Sequence, residues 1–362
     1  MDYRGIDICC PACRGDLRAL GEDELQCIGC SRSYPVIVGI PDLRLWSDPY
    51  IGIEEDRAKG RTLAAACAGR SFADSVELYY SLTTVVPPFQ AKAFTRALLS
   101  AVPRAAYSLD RWRAEGPDAA AASGAATGLP AGGARDVTGT CLLDVGCGTA
   151  PLLVAASAKF QRVVGVDIAF RWLVLARKRL EEAGIDPVVV CACAEALPFP
   201  AGAFTHVAFD STIEHLRDQS VALGEANRVM RETGCLYLAT PNRLSLGPDP
   251  HAGIWAGGWL PDGAIASWVR RKGGVPPRRS LLSRGALQRA LARAGFERTR
   301  VFVPNVPAAQ RAGFSASLRL VIDAYNGVVR TRIGRALLLR VGPLLHAVAR
   351  KPASLTSLRN DS

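Results

Sequence analysis

Short apolar runs alternate with longer segments of helical length through the middle of the chain. Runs rich in β-branched residues occupy positions 141–145, 162–167, 187–191, 206–209 and 235–240. Strands spaced in this way are typical of a parallel sheet, because parallel neighbours need long crossover connections, which are usually helices. The pattern therefore predicts an α/β fold for this region.

Further elements are predicted after the alternating region. Residues 283–295 suit a helix with Ser283 as its N-cap, and residues 296–303 suit one more strand. Two helical segments are predicted to follow, at about 308–327 and 333–349.

Two stretches upstream of the alternation differ sharply in composition. Residues 46–115 are mostly helical in pattern, and 91–99 have the spacing of an amphipathic helix. Residues 116–139 consist mainly of small residues and contain no aromatic side chain. Such a composition cannot bury a core, so the sequence predicts a helical connector followed by a flexible linker.

The first 45 residues carry two C-x-x-C pairs that are separated by 13 residues. Pairs at this spacing can place four thiolates around one Zn²⁺, with the intervening segment folded as a hairpin. Four thiolates leave no open coordination position, so the predicted zinc is structural. A unit of this size needs such a cross-link to fold. We therefore predict a zinc ribbon at 1–45, with Cys10, Cys13, Cys27 and Cys30 as the ligands.

The residues after the second cysteine pair form a motif that is typical of one protein family. Positions 31–43 read Ser-Arg-Ser-Tyr-Pro-Val-Ile-Val-Gly-Ile-Pro-Asp-Leu. With the cysteines, they resemble the small zinc-ribbon family that includes the activating partner subunit of tRNA methyltransferases, whose members often read C-R-x-Y-P-V-x-x-G-I-P. This resemblance covers about the first 45 residues.

A glycine-rich turn follows the first strand of the alternating region, at 142–151 (Leu-Leu-Asp-Val-Gly-Cys-Gly-Thr-Ala-Pro). Glycines allow the backbone to turn tightly and let a ligand approach without a Cβ in the way. The second strand ends in Asp167, 23 residues after Asp144, where a carboxylate can accept both hydroxyls of a ribose. Dinucleotide sites use a similar turn, so this motif alone does not define the ligand.

Three later segments indicate which class of ligand the glycine-rich turn binds. Positions 193–199 read Cys-Ala-Glu-Ala-Leu-Pro-Phe, positions 211–216 read Ser-Thr-Ile-Glu-His-Leu, and positions 228–238 lead into the fifth strand. In this order the segments resemble class I S-adenosylmethionine-dependent methyltransferases, which typically read D-x-G-C-G-T-G, G-x-D, A-D-A-E-x-L-P-F, L-E-H and R-x-L-R-P-G-G. The resemblance covers about 140–242 and implies a Rossmann-like core, which we place at 140–245.

The resemblance implies that S-adenosylmethionine is the cofactor, and it carries over to eight positions. These are Asp144, Gly146, Gly148, Asp167, Ile168, Cys193, Ala194 and Glu195. Ala150 stands where the family has a third glycine, and Cys235 replaces a glycine before the fifth strand. Cys193 replaces the usual aspartate beside the adenine, which leaves open whether Glu195, the backbone or no group here binds the adenine amino group.

Two histidines are candidate general bases toward the methyl acceptor. His215 follows the fourth strand, at the sheet edge that faces the methyl group in this fold. His251 lies after the fifth strand, in a loop of Gly, Pro and aromatic residues that suits an acceptor pocket. Each has a structural alternative, because the Glu214–His215 pair can hold its loop in place and His251 can bind backbone.

Positive charge is concentrated in the last quarter of the chain. The net charge is +11, yet residues 270–362 alone hold 19 Lys and Arg against 3 Asp and Glu. We expect residues 246–362 to supply the acceptor-pocket loop, the last strand or strands and basic C-terminal helices. Such helices can lie on an anionic membrane, contact nucleic acid or pack as a cap on the domain.

No apolar run reaches the roughly 18 residues of a membrane-spanning helix, and the N-terminus lacks the pattern of a signal peptide. The sequence therefore predicts no transmembrane segment and a cytoplasmic protein, either free or peripheral to a membrane.

Three functions remain open from the sequence. The leading one is methyl transfer to a small or lipid-like acceptor in a specialised biosynthetic pathway. The second is methylation of an RNA base, since a zinc ribbon ahead of this core resembles a bacterial ribosomal-RNA guanine methyltransferase, although the insertion at 46–139 is not expected there. The third is a non-catalytic adaptor, which retention of Asp144 and Asp167 disfavours.

Overall fold

The computed structural model describes residues 1–83, 86–116, 139–250, 252–311 and 316–353. Apart from its two end residues, the predicted linker at 116–139 lies outside the described residues, and so does His251. Within the described ranges, no helix is both long and apolar enough to cross a bilayer.

The N-terminal region is built from six short strands. They are β1 (Asp2–Tyr3), β2 (Ile6–Asp7), β3 (Leu17–Ala19), β4 (Glu24–Cys27), β5 (Ser33–Ile37) and β6 (Ile40–Pro41). β1 pairs with β2, and β3 to β6 form an antiparallel sheet in chain order. The predicted hairpin between the cysteine pairs is confirmed, because β3 and β4 pair with Leu17 opposite Cys27.

Four helices connect this region to the central sheet. They are α1 (Ile53–Ala66), α2 (Phe72–Ser81), α3 (Pro88–Leu99) and α4 (Ala101–Glu115). The amphipathic helix predicted at 91–99 falls within α3. Leu109 and Trp112 of α4 are buried, and they belong to the hydrophobic core that packs against the sheet.

A seven-stranded sheet forms the centre of the molecule and confirms the predicted α/β, Rossmann-like class. Its strands are β7 (Cys141–Val145), β8 (Arg162–Asp167), β9 (Val189–Cys191), β10 (Phe204–Asp210), β11 (Met230–Pro241), β12 (Glu297–Phe302) and β13 (Leu344–Arg350). The strand order is β12-β13-β11-β10-β7-β8-β9. β7 to β11 run parallel, whereas β13 is antiparallel to both of its neighbours.

Helices cover the sheet and extend beyond it. They are α5 (Pro151–Ala156), α6 (Phe170–Glu182), α7 (Gln219–Val229), α8 (Asp262–Arg271), α9 (Arg284–Arg293), α10 (Ala308–Arg311), α11 (Ala316–Arg330) and α12 (Arg332–Val341), with short 3₁₀ turns at Ile213–His215 and Gly257–Trp259. The predicted cap of α9 is confirmed, because the Ser283 hydroxyl accepts a hydrogen bond from the Ala286 amide.

The predicted helix at 333–349 is wrong beyond Val341, because β13 takes the rest of this segment. Gly342 and Pro343 end the helix, and the apolar residues after them enter the sheet interior. A short apolar run buried on both faces has no period that separates strand from helix. His346, which we expected in a helix, is therefore in β13, where burial lowers its pKa to about 3.

Candidate active site and metal centre

A pocket of about 790 Å³ opens at the carboxyl edge of β7, β8 and β10. In parallel α/β sheets, ligands bind beyond the carboxyl ends of the strands, where neighbouring loops diverge. The turns after these strands line the pocket, and Gly146, Gly148, Asp167 and Thr212 are among the lining residues. The fold therefore brings the predicted cofactor segments to one place.

The glycine-rich turn after β7 has the backbone that its sequence predicts. Gly146 has a φ of +77°, and a Cβ there would lie 2.2 Å from the Thr212 side chain. Gly148 has a φ of +51° with no atom close to its missing Cβ. Ala150, where the family has glycine, also takes a left-handed φ of +61°, so the turn keeps its shape at the cost of strain at one residue.

Three carboxylates end the strands around this turn, of which Asp144 is buried and Asp167 and Asp210 are half-buried. Asp144, near the end of β7, has an Oδ1 atom with no hydrogen-bond partner among the described residues. Burial, with Asp210 and Asp167 nearby, raises the pKa of Asp144 well above its usual range. Burial also raises the pKa of Asp210. A buried anion without a partner is costly, so this arrangement fits a ligand that brings positive charge or hydrogen-bond donors.

Asp167 lies at the end of β8 and lines the pocket directly. Its carboxylate accepts hydrogen bonds from the amides of Gly148 and Ala169, both at 2.8 Å. Burial outweighs these bonds and raises its pKa to about 6. The side chain is thus fixed in orientation and remains a carboxylate at neutral pH, as an acceptor for ligand hydroxyls must be.

Of the predicted cofactor residues after β9, two line the pocket and one does not. Ala194 and Glu195 line it, as does Ile168. Glu195 Oε1 accepts hydrogen bonds from the backbone amides of Arg217 and Asp218, at 2.8 and 3.1 Å.

The Cys193 side chain is directed elsewhere. It is buried, and its Sγ lies 3.7 Å from the Trp46 carbonyl oxygen as a hydrogen-bond donor. The residue that replaces the family's aspartate therefore binds the chain segment that follows the N-terminal ribbon.

Glu214 and His215 lie in the 3₁₀ turn after β10. The Thr240 hydroxyl donates to Glu214 Oε2 at 3.0 Å. His215 Nδ1 lies 3.1 Å from the Arg278 carbonyl oxygen. A carbonyl can only accept, so Nδ1 carries the proton and Nε2 is the basic nitrogen of the neutral ring. Desolvation lowers the pKa of His215 below its usual value, so the ring is neutral at pH 7.

A wall of the pocket comes from a segment for which the sequence predicted no ligand contact. Trp46, Asp48 and Tyr50, just beyond the ribbon, line the pocket. The Tyr50 hydroxyl accepts from the Arg278 amide at 2.8 Å. This contact joins the wall to the loop that binds His215.

A buried ionic network holds this wall in place. Arg44 donates to both Asp42 oxygens at 2.7 and 2.8 Å, to Asp56 at 2.7 Å and to the Ile168 carbonyl at 2.9 Å. Arg171 bridges Asp56 and Asp48, at 2.9 and 3.1 Å. The sequence gives little indication of this network, because it shows only that acidic and basic residues are spaced through an apolar stretch.

A second buried ion pair includes Arg279, one of the residues that line the pocket. Arg279 Nη1 lies 2.7 Å from Asp249 Oδ2, and both side chains are almost fully buried. Arg278 and Arg279 line the pocket together with Arg217. The Arg217 guanidinium lies over the Trp46 ring, 5.6 Å from its centroid. This part of the pocket lining therefore combines arginines with an aromatic ring.

The four predicted metal ligands come together in the ribbon. The Sγ atoms of Cys10, Cys13, Cys27 and Cys30 all lie within 4.8 Å of one another. The Cys10–Cys30 and Cys13–Cys27 sulfur distances are 3.7 and 3.4 Å. Tetrahedral zinc with Zn–S bonds of about 2.3 Å needs sulfurs about 3.8 Å apart. The cluster therefore fits a zinc ion in both ligand type and spacing.

Hydrogen bonds to sulfur support this cluster. The Gly15 amide donates to Cys13 and the Cys30 amide donates to Cys27, each at 3.4 Å. The Tyr34 hydroxyl lies 3.2 Å from Cys10 Sγ. Donors of this kind stabilise thiolates and orient metal ligands.

Comparison with known proteins identifies the central region. Residues 143–238 match the sequence profile of a family described as a methyltransferase domain. The chain is 37% identical over 96 residues to a demethylmenaquinone methyltransferase of Thermus thermophilus, covering 26% of this chain and 44% of that protein. It is 35% identical over 115 residues to a malonyl-[acyl-carrier protein] O-methyltransferase of Methylovorus sp., covering 30% and 37%.

Among solved structures, a protein of Thermotoga maritima is similar. It is described as a SAM-dependent methyltransferase and possible histamine N-methyltransferase. The two share 17% sequence identity with a TM-score of 0.43, covering 72% of this chain and 95% of the other.

The family match runs from β7 into β11, and the loops after β7, β8, β9 and β10 form part of the pocket lining. Residues 143–238 thus form a domain of this methyltransferase family, and a ribbon with a four-cysteine cluster precedes it. It spans less than half of the length of the two curated relatives named above.

Proposed function

We propose that this protein transfers a methyl group from S-adenosylmethionine to a small or lipid-like acceptor, with a structural zinc ion in its ribbon. The observation that carries this proposal is the cluster of carboxylates at the carboxyl edge of the sheet. Asp144 has an oxygen for which the described residues provide no hydrogen-bond partner, and Asp167 lines the pocket. Such a pocket suits a ligand with a cationic end and a ribose.

Each side of the pocket has a proposed task. Asp167 accepts the ribose hydroxyls, and Asp144 attracts the methionine end. Gly146 and Gly148 let the ligand approach the backbone. The adenine lies beside Ala194, where the backbone supplies its hydrogen bonds, because Cys193 is turned toward Trp46.

In this reaction the main task of the protein is to align the methyl donor with the acceptor. When bound, S-adenosylmethionine supplies a methyl group on a positively charged sulfonium. The acceptor's lone pair forms the new bond to carbon as the carbon–sulfur bond breaks, leaving a neutral thioether. The pocket holds the two reactants in line and excludes water. His215, neutral with Nε2 unprotonated, takes the proton when the acceptor is a hydroxyl.

Two observations support a small or lipid-like acceptor. The pocket of about 790 Å³ lies within the usual range for small-molecule sites. Its lining combines Trp46 and Tyr50 with Arg217 and Arg278, which suits a partly apolar, electron-rich molecule. The two curated relatives are named for a quinone precursor and for a carrier-bound malonyl group, and both fall in this class.

Calorimetric titration with S-adenosylhomocysteine tests the cofactor assignment. We expect micromolar binding by the wild type, weakened about 10- to 100-fold in Asp144→Ala, because an interaction with a charged group is lost. Asp186→Ala is the matched control, since this carboxylate is exposed and its ion pair within the described ranges is with Arg4, another exposed residue. Folded, zinc-loaded protein that does not bind would contradict the proposal and favour the adaptor.

Once binding is established, acceptor screening separates the remaining functions. Incubation with methyl-labelled cofactor and a lipid extract, a quinone pool or total RNA shows which fraction gains the label. Label in the lipid or quinone fraction is the expected result. If only the RNA fraction gains the label, the acceptor is an RNA base and the proposal of a small or lipid-like acceptor is wrong.

A further inference from the structure

The last two helices expose apolar side chains that a surface helix would ordinarily turn inward. Leu320 and Val321 on α11 are 72% and 52% exposed, and Ile333 and Leu337 on α12 are 85% and 55% exposed. With Val328, we call these five residues the hairpin face. Single exposed leucines are common, but a cluster on adjacent helices marks an interaction surface.

The spacing shows that each helix presents an apolar stripe. Positions 320, 321, 324 and 328 of α11 are all exposed and follow the helical repeat of three and four residues. Positions 333, 336 and 337 of α12 do the same, and the exposed Arg340 follows them one turn later. Ile322 and Val329, on the other side of α11, are buried. The apolar stripes therefore face solvent.

Specific contacts fix this orientation. The Tyr325 hydroxyl donates to the Pro304 carbonyl at 2.7 Å, and Asn326 makes two 2.9 Å hydrogen bonds with the Val306 backbone. Gly334 is buried against α11, where a Cβ would lie 2.1 Å from the Val328 carbonyl oxygen. α11 and α12 thus pack tightly on each other and on the domain, with the hairpin face left outward.

The charge around this face is of one sign. Five arginines of α11 and α12 are exposed, and in the described part of the chain no carboxylate lies within ion-pair distance of them. They are Arg319, Arg330, Arg332, Arg335 and Arg340. The nearest acid in sequence, Asp323, pairs with Arg311 at 2.5 Å. A partner for this surface must supply negative charge beside an apolar phase.

We propose that the hairpin face docks on an anionic lipid bilayer. A bilayer offers acyl chains to the apolar stripes and phosphate groups to the arginines. A second copy of the chain fits poorly, because a two-fold interface would bring the same arginines together. RNA supplies phosphates but nothing to bury Ile333, the most exposed residue of the face.

The docking surface lies near the pocket edge of the sheet. The Asn242 side-chain amide, directly after β11, donates to the Arg340 carbonyl at 2.9 Å. The Leu246 amide donates to the Val341 carbonyl at 3.0 Å. The end of α12 is therefore tied to the loop that leaves the carboxyl end of β11, so docking would bring the acceptor side of the domain toward the membrane.

Co-sedimentation with vesicles tests this proposal without use of the enzymatic reaction. The full-length protein is incubated with vesicles of phosphatidylcholine alone or with about one third phosphatidylglycerol. We expect binding to the anionic vesicles only, weakened about fivefold for each of Arg332→Gln and Arg335→Gln, and weakened by added salt. Ile333→Ser with Leu337→Ser is expected to lower partitioning at least tenfold.

Matched variants separate docking from general surface effects. Leu20→Ser and Arg61→Gln change exposed residues of the ribbon hairpin and of α1, and both should bind as wild type does. Equal loss in these controls, or no binding by folded wild type, would overturn the proposal. So would dimerisation in sedimentation velocity that Ile333→Ser abolishes, or RNA binding in the absence of vesicle binding. Since vesicle binding needs no cofactor, its failure leaves the methyltransferase assignment untouched.

Discussion

Arg44 Nη1 and Asp56 Oδ2 lie 2.7 Å apart, and both side chains are fully inaccessible to solvent. Arg44 follows the ribbon, Asp56 lies in α1, and Asp56 Oδ2 also accepts from the Phe170 amide at 2.8 Å. One ion pair therefore joins the ribbon segment, the connector and the helix that begins after β8. The ribbon is thereby part of the structure that shapes the cofactor pocket.

Arg44→Ala is expected to lower the free energy of unfolding by about 3–5 kcal/mol, because it leaves two buried carboxylates without their shared partner. Urea denaturation followed by circular dichroism measures the loss. Arg61→Ala, at an exposed position of the same connector, should change stability by less than about 0.5 kcal/mol. A loss below 1 kcal/mol for Arg44→Ala would show that the network contributes little.

Adjacent cysteines allow a sharp test of the metal centre. Cys10→Ser removes a sulfur of the four-cysteine cluster, whereas Cys9 lies outside that cluster although it is also buried. We expect Cys10→Ser to lose the metal and Cys9→Ser to keep one zinc per chain, as measured by elemental analysis. Metal loss should also make the ribbon sensitive to protease, because a unit of this size lacks an adequate core. Equal metal content in both variants would contradict this ligand set.

Asp144 is expected to oppose folding in the absence of cofactor. Its pKa is raised on folding, so the folded chain binds its proton more tightly than the unfolded chain does. This contribution to stability is complete below about pH 4, near the unfolded pKa, and is lost as the pH rises through the folded pKa. Asp144→Asn should therefore stabilise the apo protein at pH 7.5 by about 1–3 kcal/mol and weaken cofactor binding.

Thermal melts at pH 5 and pH 7.5, with and without S-adenosylhomocysteine, measure both effects. The gain from Asp144→Asn should be larger at pH 7.5 than at pH 5. Asp186→Asn provides the surface control. If Asp144→Asn destabilises the apo protein, the carboxylate has a structural partner and not a ligand-binding role.

His215→Gln distinguishes the two roles left open for this residue. With a hydroxyl acceptor, a base at this position contributes about 10²- to 10⁴-fold to the rate, so kcat should fall by that factor while cofactor affinity is unchanged. Because the pKa of His215 is lowered, the wild-type rate should stay constant down to the usual histidine pKa and fall only at more acidic pH. Loss of cofactor affinity together with rate would identify a structural role at the Arg278 carbonyl.

Local pattern was sufficient for much of the fold. The glycine-rich turn directly follows β7, and the acid Asp167 ends β8. Each motif is therefore placed by the strand beside it in sequence. The hairpin between the cysteine pairs and the Ser283 cap were also predictable, because both depend on residues only a few positions apart.

Features that depend on distant contacts were not predictable. Trp46 and Tyr50 reach the pocket only because the ribbon segment packs beside β9, with Asp42 bridged to Cys191. β13 carries the same apolar residues that a buried helix would, and its partners β11 and β12 decide its structure. The Cys193 side chain points to Trp46, across a separation of 147 residues that no local motif records.

The position of β13 also constrains how the chain is made. It lies between β11 and β12, so the sheet lacks an interior strand until residue 350 has been synthesised. Until then, the nascent chain exposes the edge of β11, whose unpaired backbone groups can bind other strands. A chain that is interrupted within α11 or α12 would therefore keep this edge open to other strands, as incompletely folded sheets do.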